Sequence, residues 1–167
     1  MTPKNPQTAL AQVEAFNRRD LDAQVSGYAD TFTMSDHARG ITLRSKEELK
    51  SWMREWIGAS SDANVNVVEA IDAGDVVVSV LEMEGTNDGP MGPMPASGRR
   101  FKTRGVQILH FDEEGRIVAH DKLLRPAVDD GPAGLRSAAS SAVAARRTAP
   151  QAGRGQVSAS SPSPARQ

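Results

Sequence analysis

Residues 45–86 read SKEELKSWMREWIGASSDANVNVVEAIDAGDVVVSVLEMEGT, and the hydrophobic period changes halfway along this stretch. Up to Gly58, the residues Leu49, Trp52, Met53, Trp56 and Ile57 fall on one stripe of a 3.6-residue period, which predicts an amphipathic helix. Ser45 followed by Glu48 is a capping-box spacing at its start, and Gly58 is expected to stop it. Beyond Gly58 the period is two. Val65–Ile71 and Val76–Glu84 predict strands, joined by the tight turn Ala73-Gly74-Asp75.

Working outward to the C-terminal side, Arg99–Phe111 and Arg116–Leu124 predict two more strands. Asp112-Glu113-Glu114-Gly115 connects them, with Gly115 suited to the left-handed position of a bulged hairpin. On the N-terminal side, Thr31–Ser35 and Ile41–Leu43 predict short strands. Before them, Leu21, Val25 and Tyr28 form the apolar side of a second helix capped by Asp20, and Leu10, Val13 and Phe16 with Ala9 that of a first. Helices at one end and consecutive strands at the other predict an α+β domain, a curved antiparallel sheet packed against three N-terminal helices and enclosing a cavity.

Composition narrows the functional classes. The 167-residue chain has a net charge of −1, which gives no electrostatic basis for binding nucleic acid or a membrane surface. The charge is nevertheless uneven, because every acid precedes residue 133 and five arginines follow it. There is no cysteine, so disulfide and thiolate chemistry are excluded and no metal site is expected. No apolar run reaches the ~18 residues of a membrane helix, and Met1–Gln12 has no apolar core of a signal peptide, so a cytoplasmic protein is expected. The residues beyond Ala133 are mostly Ala, Ser, Arg, Gly, Pro and Gln, too poor in large apolar side chains to offset the entropy of ordering. The expected organisation is a flexible N-terminus over 1–7, one domain over 8–126 and a disordered tail over 127–167.

Four segments together resemble the SnoaL-like polyketide cyclase family of the NTF2-like superfamily: VEAFNRRDLDAQVSGYAD at 13–30, AGDVVVSVLEMEGT at 73–86, GPMGPMPASGRRF at 89–101 and FDEEGRIVAH at 111–120. The resemblance spans about residues 8–126. It implies an NTF2-like cone, a homodimer formed through the sheet, and a pocket near the Met/Pro-rich loop. It also implies cofactor-free chemistry on an apolar, polyketide-like small molecule: aldol cyclisation, ketone isomerisation or epoxide opening. A non-catalytic ligand-binding or dimerisation module is the alternative.

The family's acid/base Asp and its supporting His fall, by position, on Lys122 and Gln107 here, whereas His120 keeps the family's terminal-strand His. If Asp112 opposes Arg116 in the last hairpin, Gln107 pairs with Asp121, and an amide and a carboxylate share the cavity face. Asp121 would then be the acid/base and Gln107 its orienter. The reverse assignment puts His120 and Lys122 inside. Further candidates are Asp36 and His37 at the cavity mouth, Trp52 and Trp56 as an aromatic wall, and Met94 in a flexible apolar lid with Met91, Pro93 and Pro95. Glu82 and Glu84 alternate on one strand and are either a proton-sharing carboxylate pair or a solvated face.

Overall fold

The computed structural model describes residues 4–124. In chain order they form α1 (Lys4–Asn17), α2 (Leu21–Ser26), β1 (Tyr28–Asp36), β2 (Ile41–Leu43), α3 (Lys46–Ala59), β3 (Asn64–Asp72), β4 (Val76–Thr86), β5 (Arg100–Phe111) and β6 (Ile117–Leu124). The capping box of α3 is complete: Ser45 Oγ accepts from the Glu48 N–H, and the Glu48 carboxylate accepts from the Ser45 N–H at 3.2 Å. The helix passes Gly58 and ends at Ala59, because Ser60 supplies the cap with its N–H to the Trp56 carbonyl. The Gly74 and Gly115 turns both use left-handed backbone, with φ 84° and 75°.

Three local expectations need correction. Tyr28 opens β1 instead of closing α2: Gly27 ends the helix, and its carbonyl accepts the Ile117 N–H at 2.8 Å, drawing the chain onto β6. Residues 4–7, expected as a flexible segment, are the first turn of α1. Leu10 is 48% exposed; the buried stripe of α1 is Ala9, Gln12, Val13, Ala15 and Phe16. The expected tail over 127–167 lies outside the described residues.

The six strands form one sheet in the order β2-β1-β6-β5-β4-β3. The meander β3 to β6 is antiparallel throughout, as predicted, but β1 joins β6 in parallel, so the curved, unclosed sheet is mixed. That parallel joint requires the long crossover that the rest of the chain provides. Along β4 burial alternates residue by residue, with Val77, Ser79, Leu81 and Met83 inward. The inward side chains collect into two apolar clusters. One centres on Phe32, Met34, Leu49, Met53, Leu109 and Ile117. The other holds Val13, Phe16, Ala63, Val65, Leu81 and Met83, and Trp56 packs against both.

Candidate functional site

The last hairpin carries an extra residue. Phe111 pairs with Ile117, but His110 pairs with Ala119, so β6 is one residue longer than β5 over this step and Val118 is left unpaired. Ile117 and His120, three apart, are therefore both buried on the inner face, where an unbroken strand would bury residues two apart. Beyond the bulge Leu109 faces His120 and Gln107 faces Lys122. The expected pairing of Gln107 with Asp121 is not formed. Asp121 sits opposite Ile108 on the outer face.

The inner pocket, of about 40 Å³, lies on the seam between the two apolar clusters. Its apolar walls come from α1 (Val13, Phe16), α3 (Leu49, Trp52, Met53), β3 (Val65) and β4 (Leu81, Met83). Its polar lining is Gln12, Gln24, Tyr28, Gln107, His120 and Lys122. A narrower crevice, lined by Gly105, Val106 and Leu124, continues past Leu81, Met83 and Lys122.

Those polar groups are ordered by a short relay. Tyr28 Oη and His120 Nδ1 are 2.7 Å apart in the buried interior. Burial pushes the Tyr28 hydroxyl well above its ordinary pKa of 10, and a hydrogen bond from the Gln12 side chain opposes that only in part. The phenol therefore keeps its proton, accepts from Gln12 and donates to Nδ1 of His120. Burial, with the nearby Lys122 charge, lowers the His120 pKa to about 3, so the imidazole is neutral with its hydrogen on Nε2. Nε2 is buried and has no hydrogen-bond partner among the described residues, and neither do Gln107 Nε2 and Gln24 Oε1 on the same lining. A buried polar atom without a protein partner is one that water or a ligand can serve, and three of them line this pocket.

Lys122 completes the site. It is half-buried, with Nζ 4.4 Å from the centroid of the Trp52 ring and 5.1 Å from that of Trp56. Burial lowers its pKa from 10.5 to about 8, and the charge of Asp36 on the adjoining strand opposes the shift. Among the described residues no carboxylate lies within ion-pair distance of Nζ, because Asp36 is committed elsewhere. Its carboxylate accepts from Trp52 Nε1 at 3.2 Å and from the N–H groups of Ala38 and Arg39.

The proposed site residues thus divide. His120, Lys122, Gln107 and Trp52 line the pocket together, and Trp56 flanks the ammonium. Asp36 is buried behind Trp52, away from the lining. His37 is exposed and its Nε2 lies 2.7 Å from Asp121 Oδ1 on the outside of the sheet. Met94 is 60% exposed in a turn closed against Met91, outside the lining. Glu82 pairs with Lys102 and Arg104, which hold its carboxyl below the usual range, so Glu82 and Glu84 share no proton. Gln12, Gln24 and Tyr28 escaped the sequence reading. Gln12 had a signal: a polar side chain within the apolar stripe between Ala9 and Phe16.

The fold and the site meet in one assignment. A SnoaL-like domain model matches residues 9–120, and the chain belongs to that family. No curated protein matches it. Among solved structures, a candidate SnoaL-like polyketide cyclase from Jannaschia sp. CCS1 is 18% identical, with a TM-score of 0.67 over 72% of this chain and 85% of that one. IdmH from Streptomyces antibioticus, a candidate polyketide cyclase, is 21% identical, with a TM-score of 0.63 over 72% and 91%. An NTF2-like protein of unknown function from Burkholderia pseudomallei is 21% identical, with a TM-score of 0.63 over 74% and 92%. At these identities the likeness establishes the NTF2-like α+β fold.

Proposed function

We propose that this protein is an enzyme of polyketide-cyclase type that enolises a carbonyl-bearing small molecule, without a cofactor, for isomerisation or cyclisation. One observation carries the reading. Two donors without an acceptor among the described residues line one pocket: His120 Nε2–H and the Gln107 amide. Such a set suits an oxygen that gains negative charge, as a carbonyl does on enolisation. A neutral imidazole is a suitable donor there, because it polarises the oxygen without first giving up a proton. Lys122, with its pKa near 8, is the pocket group able to take and return the α-proton near neutral pH. Asp121, on the outer face, has no part in this chemistry.

At about 40 Å³ the pocket is far below the roughly 300–1,000 Å³ of common ligand sites. It suits the reacting carbonyl end of a small substrate, and the crevice beside Gly105 and Leu124, at about 10 Å³, adds little room to it. The same small volume favours a second reading, a binding module that holds a small carbonyl compound without turning it over. A homodimer through the outer sheet face and a cytoplasmic location belong to the same proposal; among the described residues no helix is long and apolar enough to cross a membrane.

Solvent-deuterium exchange into the α-position of a small ketone, followed by NMR, separates the two readings. The wild-type protein should accelerate exchange, and Lys122→Met should lower the rate by roughly 10²–10⁴-fold. His120→Phe should lower it as well, and Asp121→Asn should leave it unchanged. Ligand retention with no exchange above the buffer rate would establish the binding module instead.

A further inference from the structure

We infer that Lys122 is a nucleophile that forms an iminium with an aldehyde or ketone in the pocket, so that the substrate class is one whose carbonyl carbon can be held covalently. The inference deepens the enolisation reading and rests on the same pocket, but its chemistry is tested separately.

The geometry has three parts. Nζ of Lys122 lies in the pocket against the two indole rings and is free of any ion pair among the described residues, whereas Lys50 and Lys102 are each tied to a carboxylate. The carboxylate nearest in strand pairing, Asp36, is held by Trp52 and two backbone N–H groups, so it influences Lys122 through space without capturing it. Across the ladder from Lys122 is Gln107, and two residues back on the same inward side is His120, both with a nitrogen that has no partner among the described residues. A carbonyl placed with its carbon at Nζ therefore has donors of the same lining for its oxygen.

The charged and titratable groups around Nζ are Asp36, His120 and Tyr28. Asp36 favours the ammonium, while burial favours the free amine and holds the group near pH 8, where a nucleophilic fraction is present. The ammonium first loses a proton. The amine lone pair adds to the carbonyl carbon, the C=O π pair moves to oxygen, and that proton returns there, giving a carbinolamine. The nitrogen pair then forms C=N as hydroxide departs with the second nitrogen proton as water. One ammonium and one carbonyl become one iminium and one water, with no redox change. The iminium is a stronger electron sink than the ketone, so its α-proton can pass to the water released in the dehydration; Lys122, whose lone pair is then in the C=N bond, serves as proton carrier only for substrate that is not covalently held.

The full-length protein treated with propanal and sodium cyanoborohydride tests this directly. Peptide mapping should find one propyl group on Lys122, formed at least tenfold faster than on Lys46, Lys50 or Lys102. A small ketone should compete with the labelling. Lys122→Met and Lys122→Arg should lose the fast phase and keep the slow labelling of the other lysines. The mapping in unaltered protein decides the matter even if either variant folds poorly. Labelling of Lys122 no faster than that of the exposed lysines would overturn the inference. If α-deuterium exchange nonetheless persisted and resisted borohydride, Lys122 would act as a proton carrier only, and the enolisation reading would stand alone.

Discussion

Burial lowers the pKa of both Lys122 and His120, and each makes a signed prediction. Lys122 has a folded pKa of about 8, below its unfolded value of 10.5. Between those values the unfolded chain binds more protons than the folded one, so stability rises with pH through that window. The buried Tyr28 hydroxyl acts oppositely above pH 10, where the unfolded phenol ionises and the folded one does not, which leaves the span from 8 to 10 to Lys122. Urea titrations should show the rise in the wild type and a flat response in Lys122→Met. Trp52 and Trp56 are the chain's two tryptophans, so intrinsic fluorescence should follow the same ionisation. Asp36→Asn should move that fluorescence midpoint down, since it removes the charge that favours the ammonium; an upward shift would contradict the assignment. For His120 the folded pKa is about 3 against 6.5 unfolded, so stability falls as pH drops below 6.5. Above pH 4.5, before the carboxylates with lowered values contribute, that fall should be absent in His120→Leu.

At the scale of elements, α3 and the bulge of β6 do different work. The capping box fixes where α3 begins and thereby aims Trp52 and Trp56 at the pocket. Ser45→Ala should cost about 1 kcal/mol, read from the urea midpoint at unchanged slope. The far end of α3 is clamped by the loop after β4, where Gly89 donates to the Ala59 carbonyl at 3.2 Å. A Cβ at Gly89 would lie 1.8 Å from the Gly58 carbonyl oxygen, so Gly89→Ala must push the loop away and should cost about 1–3 kcal/mol. The bulge decides which side chains are functional. By adding Val118 it carries His120 and Lys122 inward and leaves Asp121 to pair with His37 at the surface. That exposed pair contributes little, and Asp121→Asn should shift stability by less than about 1 kcal/mol.

For the whole molecule, the outer face of the sheet is the surface through which two copies are expected to associate. Val78, Val80, Val106 and Ile108 lie side by side there, bounded by the ion pairs of Glu82 with Lys102 and Arg104. An apolar band with a charged rim is the pattern of a protein interface. Sedimentation at micromolar concentration should give about twice the chain mass of 17.8 kDa, and Ile108→Asp should return it to one. A wild-type monomer at that concentration would remove the interface.

The sequence by itself determined the kind and order of the elements. The capping box at Ser45, the change of period after Gly58 and the glycine turns at 74 and 115 are local signals, written within a few residues of the structure they specify. Even the inward alternation of β4 could be read from its residues. What the tertiary structure alone decided is the face of β6 that lines the pocket. Ile117 is fixed by its pairing with Phe111 and by the bond of its N–H to Gly27, while Ala119 onward must stay in register with both β1 and β5. Against β5 this leaves Val118 as an extra residue on β6, and against β1 the register shifts between Tyr28 and Thr33. Nothing in the residues near Val118 announces that arrangement, because one of the strands it must satisfy, β1, lies more than eighty residues away in sequence, and a slip of one residue reverses every side chain that follows.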